Sequence, residues 1–163
     1  MRICDIQKET ISNGPGIRTA VFFQEYDSVS EEFCGDGFEV SIGYVIEELK
    51  SDKFSSGITF TGGDPFFQVF SLRYLINEIK RDKELSQKDL WIYTGFEFEE
   101  MLYTPIPMII DLRKIDCIVD GEFDDSRINC EKPFVSSSNQ RIIDVKETLK
   151  TGEIVEWDYE RRN

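Results

Sequence analysis

The chain has 163 residues, a formal charge of −13 and 40% hydrophobic residues, so it can form one packed domain, spanning 1–163, and is a poor partner for phosphate backbones. The charge leaves open a protein partner with a basic patch, and the absence of histidine from the chain excludes Ser-His and Cys-His nucleophile systems and His-containing zinc sites. Its four cysteines, Cys4, Cys34, Cys117 and Cys130, form no CxxC pair, and no leader-like or membrane-length apolar run is visible, so the expectation is a cytoplasmic protein with reduced thiols, no membrane partner and no nucleic-acid partner.

In chain order, residues 2–8 read as a strand that pairs with a second at 18–23 across the turn Asn13-Gly14-Pro15-Gly16. Ser41 then precedes apolar residues at Ile42, Val45, Ile46 and Leu49, the spacing of an amphipathic helix behind an N-cap. A β-prone run at 58–61 follows. The pattern repeats thirty residues on: Ser71 precedes Leu72, Leu75, Ile76 and Ile79, and a second β-prone run covers 90–94. That period is the size of one βα unit. A shorter helical stretch at 97–102 leads to a strand at 115–119, and residues 120–140 are polar and loop-like. Residues 142–145 and 154–157 are short apolar returns. Short apolar strands alternating with helices predict an α/β fold with a mostly parallel, helix-covered sheet.

Each strand of the series ends in small or polar residues: Gln24, Thr61-Gly62-Gly63-Asp64-Pro65, Thr94-Gly95 and Asp120-Gly121. Parallel α/β sheets bind ligands at these carboxyl ends. Glycines there let backbone approach a ligand, and Asp64 and Asp120 could accept from an amine or hydroxyls; turn chemistry also uses Gly and Asp at such positions. Asp64, Asp120 and Glu122 could in principle hold Mg²⁺, with no spacing that specifically supports it. The dinucleotide, P-loop and nucleophile-elbow templates are missing.

Five motifs occur in a fixed order: Asn13-Gly14-Pro15-Gly16-Ile17-Arg18, Thr59-Phe60-Thr61-Gly62-Gly63-Asp64-Pro65, Leu90-Trp91-Ile92-Tyr93-Thr94-Gly95-Phe96, Val119-Asp120-Gly121-Glu122-Phe123 and Ser138-Asn139-Gln140-Arg141-Ile142-Ile143-Asp144-Val145. With them the chain resembles the activating enzymes of anaerobic, class III ribonucleotide reductases, small members of the radical S-adenosylmethionine (SAM) superfamily. The resemblance implies a partial (βα)6 barrel. It also implies a [4Fe–4S] cluster that reduces SAM, giving a 5′-deoxyadenosyl radical that takes hydrogen from a glycine of the reductase. The SAM methionine amino group would lie along Thr61, Gly62, Gly63 and Asp64, with Thr94, Gly95 and Asp120 completing the pocket.

The family's CxxxCxxC loop supplies three thiolates to the cluster. Here the corresponding positions are Tyr26, Ser30 and Phe33, and a shift by one residue gives Asp27, Glu31 and Cys34. The loop at 25–37 is also shortened. The expectation is therefore a pseudoenzyme with no cluster, no metal ligand and no catalytic residue, and weak or absent SAM binding. It would act as a binding or regulatory module for a glycyl-radical enzyme such as the class III reductase. Two alternatives stand beside it: an active activase with [4Fe–4S] and SAM, and a non-radical SAM- or nucleotide-binding enzyme using Asp64 and Asp120. For Ser138-Asn139-Gln140-Arg141 the choices are docking of the partner, or tying down the long loop with Arg141 paired to an acid such as Asp120.

Overall fold

The computed structural model describes residues 1–24, 37–128 and 131–158. Its centre is a seven-stranded sheet in the order β3-β1-β2-β4-β5-β6-β7. The strands are β1 (Arg2–Thr10), β2 (Arg18–Phe23), β3 (Phe38–Glu39), β4 (Gly57–Gly62), β5 (Asp89–Tyr93), β6 (Cys117–Asp120) and β7 (Arg141–Asp144). The four central strands β2, β4, β5 and β6 are parallel. β1 is antiparallel to β2, as the Asn13–Gly16 turn predicts, while β3 and β7 are antiparallel to β1 and β6. The βα series is thus correct in the middle of the sheet, but a sixfold parallel repetition is not met, because β1 and β7 run the other way. An apolar run carries no information about strand direction, so the short return at 142–145 left the direction of β7 open.

The two repeated segments form the two long helices, α1 (Ile42–Ser51) and α2 (Val69–Arg81). Ser41 caps α1, its hydroxyl accepting from the Tyr44 amide at 3.0 Å. Ser71 does not cap α2. The helical path starts earlier, where the Asp64 side chain accepts from the Phe66 amide and Pro65 opens a 3₁₀ turn, Pro65–Gln68, that runs directly into α2. α1 buries Val45 and Leu49, and α2 buries Leu72, Leu75, Ile76 and Ile79. These side chains pack on Val21, Phe23, Ile58, Phe60, Leu90, Ile92 and Ile118 of the parallel strands. At about 1.5 to 3 kcal/mol per buried aliphatic side chain, this layer is the main stabilising term. Two short helices, α3 (Phe98–Met101) and α4 (Ile106–Ile109), add Phe98, Met101 and Ile106 to it, and α5 (Val145–Thr151) adds Val145.

Alternate strand residues point to the other face, where Trp91, Cys117, Val119 and Ile142 form a second cluster. The segment after α5 returns along β7, its Trp157 amide donating to the Ile142 carbonyl at 2.7 Å. This brings the Trp157 ring edge-to-face onto Trp91, with centroids 5.3 Å apart, and Phe134 completes the aromatic group. Cys117 is wholly buried here, as its apolar strand predicts.

The amino ends of the parallel strands are held by one cation. Arg18, Gly57 and Asp89 occupy one row across β2, β4 and β5. The Arg18 side chain is fully buried and spends its donors on Thr59 Oγ1 (2.7 Å), Asp89 Oδ2 (2.9 Å) and the carbonyls of Pro15, Ile58 and Asp89. Its guanidinium carbon stands 5.3 Å from the Trp91 ring centroid. Thr59 in turn donates to the Asn13 carbonyl at 2.7 Å, which ties the Asn13–Gly16 turn to the same hub. Gly57 is required beside it, since a Cβ there would overlap the guanidinium.

The hub yields a stability prediction. Arg18→Met removes five hydrogen-bond donors and leaves the Asp89 carboxylate without its cation, at a cost of about 3 to 5 kcal/mol. Gly57→Ala should also destabilise. Urea unfolding curves of the two variants against the parent protein check both, and a loss below 1 kcal/mol for Arg18→Met would contradict the assignment.

Candidate functional site at the carboxyl ends of the parallel strands

The opposite end of the sheet gathers the predicted residues. β2 ends at Phe23, whose carbonyl accepts from the Gly63 amide at 2.8 Å. Gly62 sits at φ +89°, and a Cβ on it would come within 3 Å of the Phe23 backbone. The double glycine thus allows β4 to turn against the end of β2. Gly62 and Gly95 are exposed, Thr61 is half-buried and Gly63 is buried.

Asp64 clasps the two glycine turns together. Its Oδ2 accepts from the Thr94 hydroxyl at 2.6 Å and from the Gly95 amide at 2.9 Å, while Oδ1 accepts from Phe66. Burial pushes its carboxyl above the usual carboxylate range, and hydrogen bonds from Thr94, Phe66 and Gly95 offset only part of that push. Both oxygens are occupied within the protein, so Asp64 positions the turn.

Asp120 has a similar task. It is almost fully buried, accepts from the Phe98 amide at 2.9 Å, and pairs with Arg141 at 2.5 Å. Arg141 also grips Glu99 through two hydrogen bonds of 3.0 and 2.6 Å. Glu99 first, then Asp120, hold the guanidinium more firmly in its charged form, and Arg141 lowers the Glu99 carboxyl. Gln140 accepts from the Ser136 and Ser137 amides and donates to the Gly121 carbonyl, while Asn139 donates to the Glu122 carbonyl. The Ser138–Arg141 motif therefore ties down the long loop and fastens β7 to the end of β6. Asp64, Asp120 and Glu122 do not converge on a cation site: among the described residues no group of three or more potential ligands could hold a metal ion.

The structure brings Thr61, Gly62, Gly63, Asp64, Thr94 and Gly95 to one edge, with Asp120 buried beneath the neighbouring loop. Sequence reasoning missed two participants. Gln68 joins this edge by donating to the carbonyls of Arg2 and Gln24 at 2.8 and 2.9 Å. Cys4 lies on β1, the other half of the N-terminal hairpin, and the antiparallel register, with Ile3 opposite Phe23, brings it beside the end of β2. Its thiol lies 3.4 Å from the Phe23 carbonyl and 3.0 Å from Gln24 Oε1. The signal for both was the hairpin register.

The raised Asp64 carboxyl predicts a pH dependence. A folded-state pKa above the unfolded value contributes stability that is full below the ordinary value of 3.8 and is lost as pH rises through the raised one. Asp64→Asn does not titrate. The stability of the parent protein relative to Asp64→Asn should therefore fall as pH rises through this window, measured by chemical unfolding at a series of pH values. A difference that stays flat or grows would show that the hydrogen bonds outweigh burial.

Comparison with known proteins identifies the company this site keeps. Residues 12–143 match the family model described as a 4Fe-4S single cluster domain. The anaerobic ribonucleoside-triphosphate reductase-activating protein of Pasteurella multocida (strain Pm70) is 31% identical over 144 residues, covering 81% of this chain and 90% of that protein. The protein of the same name from Enterobacteria phage T4 is 30% identical, covering 80% of this chain and 85% of its own length. That of Escherichia coli (strain K12) is 28% identical, covering 80% and 90%.

These matches correct the expectation that no cofactor is bound: a 4Fe-4S family model over most of the chain, with activating proteins as relatives, points to an iron–sulfur cluster. The expectation rested on Tyr26, Ser30 and Phe33, which lie outside the described residues, as do Cys34 and Cys130. The described residues alone do not fit a cluster. Cys4 is at the site's edge, whereas Cys117 is sealed in the core at the far end of β6. On the matched length and identity together, the chain belongs to the family of anaerobic ribonucleoside-triphosphate reductase-activating proteins, with their 4Fe-4S single cluster domain.

Proposed function

We propose that this protein binds and activates an anaerobic ribonucleoside-triphosphate reductase, a glycyl-radical enzyme, through radical-SAM-type chemistry at the carboxyl ends of β2, β4, β5 and β6. The observation that carries this reading is the pair of glycine turns at Gly62-Gly63 and Gly95, clasped by one carboxylate at the end of a parallel sheet. A backbone edge fixed in this way can take the amino-acid end of SAM without first ordering itself. In this proposal Thr61, Gly62, Gly63 and Gly95 meet the ligand, while Asp64, Thr94 and Asp120 hold the turns that present them. The barrel type belongs to the same proposal, with the four parallel strands as its staves.

A second reading is that the chain docks on the reductase and makes no radical. One observation favours it: the two described cysteines lie at opposite ends of the sheet, and the sequence carries no CxxxCxxC.

The readings separate in one experiment. The protein is reconstituted anaerobically with iron and sulfide, its iron and sulfide content is measured, and it is mixed with reductase, SAM and a reductant. A glycyl-radical EPR signal on the reductase is the expected result. Binding without that signal supports the second reading, and neither binding nor signal refutes both. SAM titration of Gly95→Val tests the pocket. A Cβ at Gly95 meets nothing nearer than 3.9 Å, so the fold should tolerate the change while the side chain fills the mouth. SAM affinity should drop at least tenfold with the melting temperature little changed; unchanged affinity would remove Gly95 from the pocket.

A further inference from the structure

The surface beside the site carries a feature that neither the core nor the pocket uses. Phe67, Phe70 and Tyr74 are 58, 64 and 58% exposed. Their spacing places them on one flank of the Pro65–α2 segment, away from the buried Leu72, Leu75, Ile76 and Ile79. The stripe begins at the mouth: the Phe67 ring lies 5.8 Å from that of Phe96, which directly follows Gly95. Exposed aromatics arranged in this way on a surface mark interaction sites.

The charges at the mouth end of the stripe are acidic, while at its far end Arg73 lies over the Tyr74 ring, its guanidinium carbon 5.5 Å from the centroid. Glu97 and Glu100, at the start of α3, and Glu122, whose backbone lies beside Gly95, are exposed and form no ion pair among the described residues. Glu99 differs, since Arg141 takes it. The whole chain carries −13. A second copy docking here by a two-fold contact would face these carboxylates against each other.

We propose that this aromatic stripe and its acidic rim form the seat for the reductase, which would present an apolar patch ringed by Lys and Arg. The inference rests on the proposed function and extends it by placing the partner on α2 and the rim of the mouth. Aromatic side chains supply the binding energy in such contacts, and complementary charge supplies the association rate.

Interferometry against the reductase from the same organism tests it. Phe67→Ser/Phe70→Ser should bind at least tenfold more weakly than the parent. Phe54→Ser, which alters a 73% exposed ring just before β4, at the amino ends of the parallel strands, should bind like the parent. Glu97→Lys/Glu100→Lys should slow association and flatten its dependence on salt. Equal affinity of Phe67→Ser/Phe70→Ser and the parent would overturn this seat while leaving the proposed function intact. No binding by the parent would overturn both. A parent dimer that the double variant converts to monomer in sedimentation would assign the stripe to a second copy and overturn the inference.

Discussion

A buried cation with all its donors engaged is the constraint on which this sheet depends. Arg18 reaches three parallel strands and one turn from a position closed to water. Burying a guanidinium is unfavourable unless its hydrogen bonds are met within the protein, so the surrounding residues are tightly determined. Gly57 must lack a side chain, Asp89 must carry a charge, Thr59 must offer an oxygen, and Trp91 provides a ring face. The register of β2, β4 and β5 follows, because a slip by one residue would move Gly57 and Asp89 out of the row.

Pinning one end of the strands lets the other end be built from turns. There the architecture relies on two buried or half-buried carboxylates, one of them paired with Arg141. Asp64 joins the loops after β4 and β5, and Asp120 joins β6, α3 and β7 through Arg141. Both were candidates for ligand contact on their position alone. Their hydrogen bonds fasten the neighbouring loops, and this holds the intervening glycines in place. Preorganised backbone is an advantage to a site that must hold a small polar ligand, since little ordering entropy remains to be lost on binding.

Much of the framework was legible in the residues because it follows from burial. The apolar runs at β2, β4, β5 and β6 and the helical spacing behind Ser41 are consequences of two-sided packing. What depends on pairing partners was not legible. The direction of β7, the seating of Trp157 on Trp91 and the approach of Cys4 to Phe23 all arise from register between distant segments. The Arg18 hub lies between these cases. Arg18 was visible as the opening of an apolar strand, while Gly57 and Asp89 fell just before the β-prone runs at 58–61 and 90–94. Only the parallel register turns them into one row. Asp64-Pro65 was likewise seen as a ligand motif, while its local role as a helix start, with the side chain on the Phe66 amide and proline next, went unread.

The same distinction explains the error over the cofactor. Thiolate spacing in one loop is a local signal, and it was allowed to decide against a cluster for the whole chain. The match to a 4Fe-4S domain extends over residues 12–143, a range that contains the parallel strands, the glycine turns and the Asp120–Arg141 fastening. Those features answer to a different physical requirement from the ligand loop: they must keep four parallel strands in register and their carboxyl ends open. A scaffold of this kind constrains where ligands can be delivered more strongly than which short segment delivers them. Cys4 illustrates the point, since the antiparallel pairing of β1 carries a cysteine from the start of the chain to the edge where Gly63 meets Phe23. The hydrogen-bonded ladder places it beside a segment some twenty residues away in sequence.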